Sequence, residues 1–341
     1  MKLTAAISLA TILSAASACA QDFAAFPKYE PVAHVSGTLT VWGNDGMATL
    51  QKLWEEDFRR YQPGIQFDDH LYSTAAGIGG LYAGHADLAY MGRDIWQVEN
   101  LGFTKTFGYD PTRFVATTGA YDVEGKTFPM VVFVNKENPL KGLTLQQLDA
   151  LFGTERKLGA PKSIRTWGDL GLTGEWADKP IHLYAYANDS GFGVFFSAAA
   201  MGGSTRWACD IHQFDNITDS AGKTITPAGK RILTALAQDK YGLAYSGIRY
   251  STSDVRPLPI AARPDTPFVA PTRENTVNCM YPLVRDIPIY INRAPGKAID
   301  PKVREFLSYI LSREGQEAVR HEGDYLPLTV EVVQQQRELL K

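Results

Sequence analysis

Three short stretches hold the residue types best suited to gripping a small ligand: Asn44-Asp45-Gly46-Met47, Ser73-Thr74-Ala75, and Asp189-Ser190-Gly191-Phe192. Each follows an apolar run and precedes a segment with helical spacing, so each reads as the turn between a strand and a helix. The first amides of a helix have no intrahelical partner and lie at the positive end of its dipole, so such turns favour an anion. Glycine and alanine there let a ligand approach the backbone closely. Singly, Ser73, Thr74 and Ser190 are ordinary N-caps. Three loops of one design tilt the reading toward an oxyanion site. Gly92-Arg93 adds a candidate counter-charge, with a structural ion pair from Arg93 to Asp87 or Asp94 as the rival reading.

The elements that must position these loops alternate between strand and helix. Thr38 to Trp42 reads as a strand, followed by a helix carrying Leu50, Leu53, Trp54, Phe58 and Tyr61 and stopping near Pro63-Gly64. Ile65 to Tyr72 is a second strand, and Asp87 to Met91 is a short apolar one. Pro129 to Val134 is a continuous apolar run, as expected of a strand buried on both faces. Thr144 with Gln147 forms a capping-box pattern opening a helix from Leu145 to Phe152. Ile181 to Ala187, Tyr241 to Ser246 and Pro288 to Asn292 complete the strands. Phe192 to Met201 is apolar nearly all round, which predicts a largely buried helix. Pro301 to Val319 reads as one amphipathic helix, and proline-rich 257–271 suits a route between lobes. The fold class is α/β with largely parallel sheets, ligands collecting at the strands' carboxyl ends.

The chain has 341 residues and a formal charge of −3 from 34 basic and 37 acidic side chains that are well mixed. That length argues for two lobes, and that charge gives no footprint for nucleic acid or acidic lipid. Lys2 and the uncharged stretch to Ala20 read as an export signal at 1–20, cleaved before Gln21, which places the protein in the periplasm or outside the cell. Lipid anchoring through Cys19 is the weaker reading, since Ala16 stands where a large aliphatic residue is expected. Cys209 and Cys279 are then the remaining thiols, candidates for a disulfide in an oxidising compartment. The six histidines show no metal-ligand spacing, so neither metal nor cofactor is expected. Ser190 lacks the preceding glycine of a nucleophile elbow, and no nucleophile–base pair stands out, so catalysis is not expected; a hydrolase is disfavoured, and a thiol or metal enzyme more so.

The segment from Ser73 to Arg93 with its Gly84-His-Ala-Asp-Leu-Ala core, Val131 to Leu140, Leu143 to Leu148, Thr166-Trp-Gly-Asp169, Gly242-Leu-Ala-Tyr245 and Tyr281 to Asn292 resembles, in order and spacing, the phosphate-binding proteins of ABC transporters. The resemblance spans roughly residues 37–320. It implies a two-lobed, type II-like periplasmic-binding-protein fold with the ligand cleft between the lobes. It places one lobe at 36–125 plus 272–325, the other at 126–271, and a C-terminal tail at 326–341. It further implies a monomer that delivers a small anion to a permease; a stand-alone sensor or scavenger is the alternative. The family holds phosphate with loop amides and hydroxyls, an arginine four residues before the serine of the third loop, and an acidic group. Thr74, Ser190 and Gly191 match that pattern. Tyr186 falls on the arginine position, Phe192 on a threonine, and Gly92 on a hydroxyl or acid, while Asn44, Asp45 and Met47 replace a hydroxyl in the first loop. With Tyr72 and Tyr90, these changes predict a more aromatic pocket and a larger, partly organic anion.

Overall fold

Leu39 and Val41 alternate with Thr40 and Trp42 along the first strand, so one face must be covered by one helix and the opposite face by another. The computed structural model, which describes residues 23–341, shows this arrangement; the export signal expected at 1–20, including Cys19, lies outside the described residues. In β1 (Ser36–Gly43), Leu39 and Val41 are buried beneath α1 (Ala48–Tyr61), whose Leu50, Trp54 and Phe58 enter the same core. On the other face Trp42 lies against α2 (Thr74–Tyr82), where a Cβ on Gly80 would meet the indole ring at 2.8 Å. Helix and strand touch there only because that residue is glycine.

The first sheet runs β2 (Gly64–His70), β1, β3 (Leu88–Tyr90), the late strand Asp286–Ile291, and β4 (Thr112–Thr118), with the late strand antiparallel to both neighbours. Helix α3 (Gln97–Phe107) connects β3 to β4. The second sheet runs Val255–Pro257, β5 (Met130–Asn135), Gly242–Gly247, His182–Tyr186 and Ile211–Phe214. All six residues of β5 are buried, as its unbroken apolar run requires. Helix α4 (Leu145–Phe152) starts at Thr144, whose hydroxyl accepts the Gln147 amide at 3.1 Å while Gln147 returns a bond to the Thr144 amide. Helix α5 (Gly191–Ala200) starts at Ser190.

The chain passes between sheets twice, after Thr118 and before Asp286, and the two passages are bonded together. The Gly119 amide donates to the Arg285 carbonyl at 2.8 Å and the Met130 amide to the Leu283 carbonyl at 3.1 Å. A Cβ on Gly119 would lie 2.5 Å from the Thr127 carbonyl, so glycine fixes how closely the passages approach.

Four expectations are corrected. Residues 257–271 do not cross between sheets: the Leu258 amide bonds the Val132 carbonyl, and Ile260 pairs with Leu143 and Val269, all beside the second sheet. The expected single helix over Pro301 to Val319 is two, Pro301–Ile310 and Arg313–Glu322, because the Ser312 hydroxyl caps the second by accepting the Gly315 amide. In α5, Val194 and Ala198 are exposed and only Gly193, Phe196, Ser197 and Ala200 are buried, so its all-round apolarity does not mean all-round burial. Cys209 and Cys279 are both exposed and unpaired, so no disulfide joins them. The C-terminal helix Val330–Glu338 packs Val333 into the first core.

One charged group in this fold gives a pH test. Burial, and then the neighbouring Asp69, push the Glu55 carboxyl up to about 7, with Arg59 opposing at 2.9 Å. The folded state therefore binds this proton more tightly than the unfolded one, and its stabilising effect is lost as pH rises from the ordinary glutamate range through about 7. Glu55→Gln should become more stable than wild type above neutrality by about 1–3 kcal/mol and lose that advantage near pH 5, as read by urea unfolding at both pH values.

Candidate functional site

The ends of β1 and β3, the start of α2, the start of α5 and both passages meet around one cavity of about 230 Å³ between the two sheets. It is lined by Asn44, Thr74, Gly92 and Arg93 from the first lobe and by Gly191 and Phe192 from the second. Gly125, Lys126, Thr127 and Arg285 come from the passages. Gly92 is the point of closest approach. A Cβ there would meet Asn44 Nδ2 at 2.8 Å and Thr74 Oγ1 at 2.9 Å, so the glycine standing where a hydroxyl or acid was expected is dictated by two loops converging on it.

Its backbone knits the floor of the cavity. The Gly92 amide donates to Thr74 Oγ1 at 3.2 Å, and its carbonyl accepts from Thr127 Oγ1 at 2.8 Å and from Arg285 at 3.2 Å. Asn44 Oδ1 accepts the Gly46 amide at 3.0 Å. The first amides of α5 are those of Gly191 and Phe192, because the Ser190 hydroxyl has turned inward to cap Gly193 at 3.1 Å and to donate to the Ala187 carbonyl at 2.6 Å.

Three cations line the cavity, in three electrostatic states. Arg93 is held by Glu99 through two bonds of 2.8 and 2.9 Å, lies 3.9 Å above the Trp96 ring, and gives a third bond to the Asp94 carbonyl. Three of its five donors are thus committed, leaving two. Lys126 donates to the Gly46 carbonyl at 2.7 Å and pairs with Glu322 and Asp324 at 3.3 and 3.1 Å. Arg285 is different. It is 6% exposed, has the Gly92 carbonyl as its hydrogen-bond acceptor, and no carboxylate among the described residues forms an ion pair with it. Its guanidinium lies 5.2 Å from the rings of both Phe192 and Phe195. Burial lowers its pKa to about 10, so it stays charged at neutral pH while bearing a desolvation cost that one carbonyl and two rings offset only in part. No acidic side chain lines the cavity.

Of the residues singled out from sequence, Asn44, Thr74, Gly92, Arg93, Gly191 and Phe192 meet here. The others do not. Met47 is wholly buried in the first core, while Asp45, Ser73, Ala75 and Asp189 are exposed outside the lining. Gly46 reaches the site only through its carbonyl bond to Lys126, and Ser190 is a cap. Tyr186 is buried with its ring 4.5 Å from Phe192. Tyr90 is buried and donates to Gln51 Oε1 at 2.6 Å, and Tyr72 is exposed on the outer face beside Trp42. The expected aromatic pocket is therefore absent, Phe192 alone excepted. The rival partners for Arg93 were also misassigned, since Glu99 holds it and Asp87 instead accepts the Thr40 amide. Lys126, Thr127 and Arg285 were missed; an arginine among the apolar neighbours Leu283, Val284 and Ile287 was the available signal.

Residues 29–314 match the model of the PBP superfamily domain. The chain is 34% identical over 323 residues to the phosphate-binding protein PstS of Pseudomonas aeruginosa, covering 94% of this chain and 93% of that one. It is 25% identical over 301 residues to protein SphX of a Synechocystis strain, covering 87% and 80%. Among solved structures, PstS from Borrelia burgdorferi is similar with a TM-score of 0.55 at 15% identity, covering 86% of this chain and all of that one. An ABC-type phosphate transport receptor from Vibrio cholerae gives 0.51 at 18% identity, covering 84% and 99%. Both carry the same two-lobed fold.

The state of Arg285 gives this site a measurable signature without any ligand. Arg285→Met removes the buried charge while keeping most of the volume against Phe192 and Phe195. It should therefore stabilise the ligand-free protein by about 1–3 kcal/mol. Thermal unfolding in an oxyanion-free buffer checks this, with a rise in Tm expected.

Proposed function

We propose that this chain, which belongs to the PBP superfamily, is an exported receptor that captures inorganic phosphate between its lobes and delivers it to an ABC-type permease. The observation that carries the reading is Arg285: a buried guanidinium that lacks a carboxylate and faces a small cavity needs an anion to complete it. The relatives named for phosphate binding or phosphate transport supply the ligand class, and the cavity supplies its size. At about 230 Å³ it lies below the range of pockets for drug-sized organic ligands. With Tyr72, Tyr90 and Tyr186 turned away from it, nothing in the lining calls for an organic moiety.

In this reading Arg285 provides the principal charge-assisted contact and Arg93 a second, weaker one through its two uncommitted donors. The Gly191 and Phe192 amides at the start of α5, the Thr74 hydroxyl and the Asn44 amide complete the shell. Bonded together, the passages at 119–129 and 279–285 act as the hinge on which the lobes close.

Isothermal titration with inorganic phosphate tests the assignment. Wild type should bind with micromolar affinity or tighter. Arg285→Met should lose about 100-fold or more, because a buried charge-assisted pair is removed. Arg93→Met should lose about tenfold, because Glu99 already engages that group. Equal binding by Arg285→Met and wild type would overturn the site.

The export signal sets a second expectation. N-terminal sequencing of the protein recovered from the periplasm of a producing cell should begin at Gln21, and a lipid-modified Cys19 would overturn cleavage there.

A further inference from the structure

A second cavity, of about 210 Å³, shares no lining residue with the interlobe one. It is formed by the segment at 29–32, helix Pro301–Ile310, and the end of helix Val330–Glu338 with the residues that follow it. We infer that it is a separate binding site, for a small aliphatic α-amino acid: Arg304 and Arg337 take the carboxylate, Glu30 the ammonium group, and Tyr29, Val32 and Leu340 the side chain.

The two arginines carry the argument. Both are half-buried, they come from different helices, and each is held by backbone carbonyls rather than by an acid. Arg337 gives one nitrogen, Nη1, to the Ser308 and Leu311 carbonyls at 3.3 and 3.1 Å, and Arg304 gives Nε to the Leu340 carbonyl at 3.2 Å. Capping the last turn of helix Pro301–Ile310 occupies Arg337 Nη1 alone. Nε and Nη2 of Arg337 and both terminal nitrogens of Arg304 have no acceptor among the described residues. Burial pushes Arg337 below its ordinary pKa, and no carboxylate offsets that cost. Two guanidiniums fixed beside one cavity, with donors to spare, suit the planar geometry of a carboxylate.

Acids that could neutralise them are engaged elsewhere. Glu305, which follows Arg304 in the chain and is buried, accepts the Tyr29 hydroxyl at 2.9 Å and the Val32 and Ala33 amides at 3.3 and 3.2 Å. Glu314 accepts the Tyr29 amide at 2.7 Å, so the segment that brings Glu30 to the cavity is fixed on both sides. Glu338 is paired with Lys341. Glu30 is left, and it forms an ion pair with neither arginine and has no other partner among the described residues. The cavity therefore holds two cations and one anion, from three elements, that do not meet. A plain anion would gain from the arginines and be opposed by Glu30, whereas a dipolar ligand is matched to both. Buried Tyr29 and Leu340, with Val32, add an apolar surface, and the volume lies below that of pockets for drug-sized ligands.

Titration calorimetry with L-leucine, with isocaproate, which is leucine without its ammonium group, and with isoamylamine, which is leucine without its carboxylate, tests each half of the recognition. Leucine should bind at submillimolar concentration, about fivefold more tightly than isocaproate and about 50-fold more tightly than isoamylamine. Arg304→Met should weaken both leucine and isocaproate about tenfold or more. Glu30→Gln should weaken leucine about fivefold and leave isocaproate no weaker, a split that a merely loosened fold would not give. Thermal unfolding of both variants without ligand should stay close to that of wild type, and leucine should bind equally well with saturating phosphate present. Absence of leucine binding, displacement of leucine by phosphate, isocaproate binding as tightly as leucine, or a leucine affinity unchanged in Arg304→Met would each overturn this site.

Discussion

Taking a guanidinium out of water costs several kcal/mol unless acceptors or an anion replace the lost hydration. In this protein Arg285 bears that cost with one backbone carbonyl and two phenylalanine faces as compensation. Such an arrangement survives only if the surroundings hold it in place. Arg285 is accordingly set in the passage that enters the first sheet at Asp286, bonded to the other passage through Gly119, and pinned beside Gly92. The neighbouring Asp286 is not free to neutralise it, because that carboxylate is engaged by Arg113 at 2.7 Å. Asp94, the other nearby acid, is engaged by the same arginine at 2.6 Å. Both of these acids are thus held by Arg113, and the charge of Arg285 is left facing the cavity.

The same logic explains the glycines at the site. Gly92 and Gly119 have no need of unusual backbone angles; they are required because hydroxyls, amides and carbonyls crowd within 3 Å of where a side chain would start. Close convergence of β1, α2 and the two passages lets one carbonyl, that of Gly92, receive both Thr127 and Arg285. Loosening any of these approaches would move the guanidinium, so the packing of the floor and the electrostatics of the wall are one constraint.

Much of the fold was legible because it rests on local physics. Burial on both faces made β5 a continuous apolar run, the reciprocal Thr144 and Gln147 bonds marked the start of α4, and the 3.6-residue spacing of Leu50, Trp54 and Phe58 marked α1. The break at Ser312 was not legible from periodicity, since the apolar stripe continues on both sides and only the serine cap and the close packing of Gly315 against the Tyr309 and Ile310 carbonyls interrupt it. Loops alone located half of the site. Met47 and Tyr90 lie near the right loops but point into the core, a distinction that a one-residue change of face decides. Arg285 and Lys126 escaped notice because their importance comes from what they lack or hold across the fold: no carboxylate for Arg285, and Glu322 and Asp324, nearly two hundred residues away, for Lys126.

The two aromatic replacements in the third loop then acquire a different meaning. Where the resemblance places an arginine and a threonine, Tyr186 and Phe192 read in sequence as a loss of anion-binding capacity. In the folded protein they form a stack: the Tyr186 ring supports Phe192 at 4.5 Å, Phe128 flanks it at 5.3 Å, and Phe192 presents its other contact to the Arg285 guanidinium. A cation over an aromatic face is stabilised in proportion to how far it has been desolvated, so a phenylalanine stacked on both sides is a suitable bed for a buried arginine. On the proposed function, the arginine that the resemblance places in the second lobe and these aromatics belong to one rearrangement, with the counter-charge on Arg285 between the two passages. On the proposed function, a charge carried between the two passages is met by the ligand in the open as well as the closed cleft. On that reading closure adds the α5 amides to an anion already engaged at Arg285, and the order of events, charge first and amides second, follows from where the arginine sits.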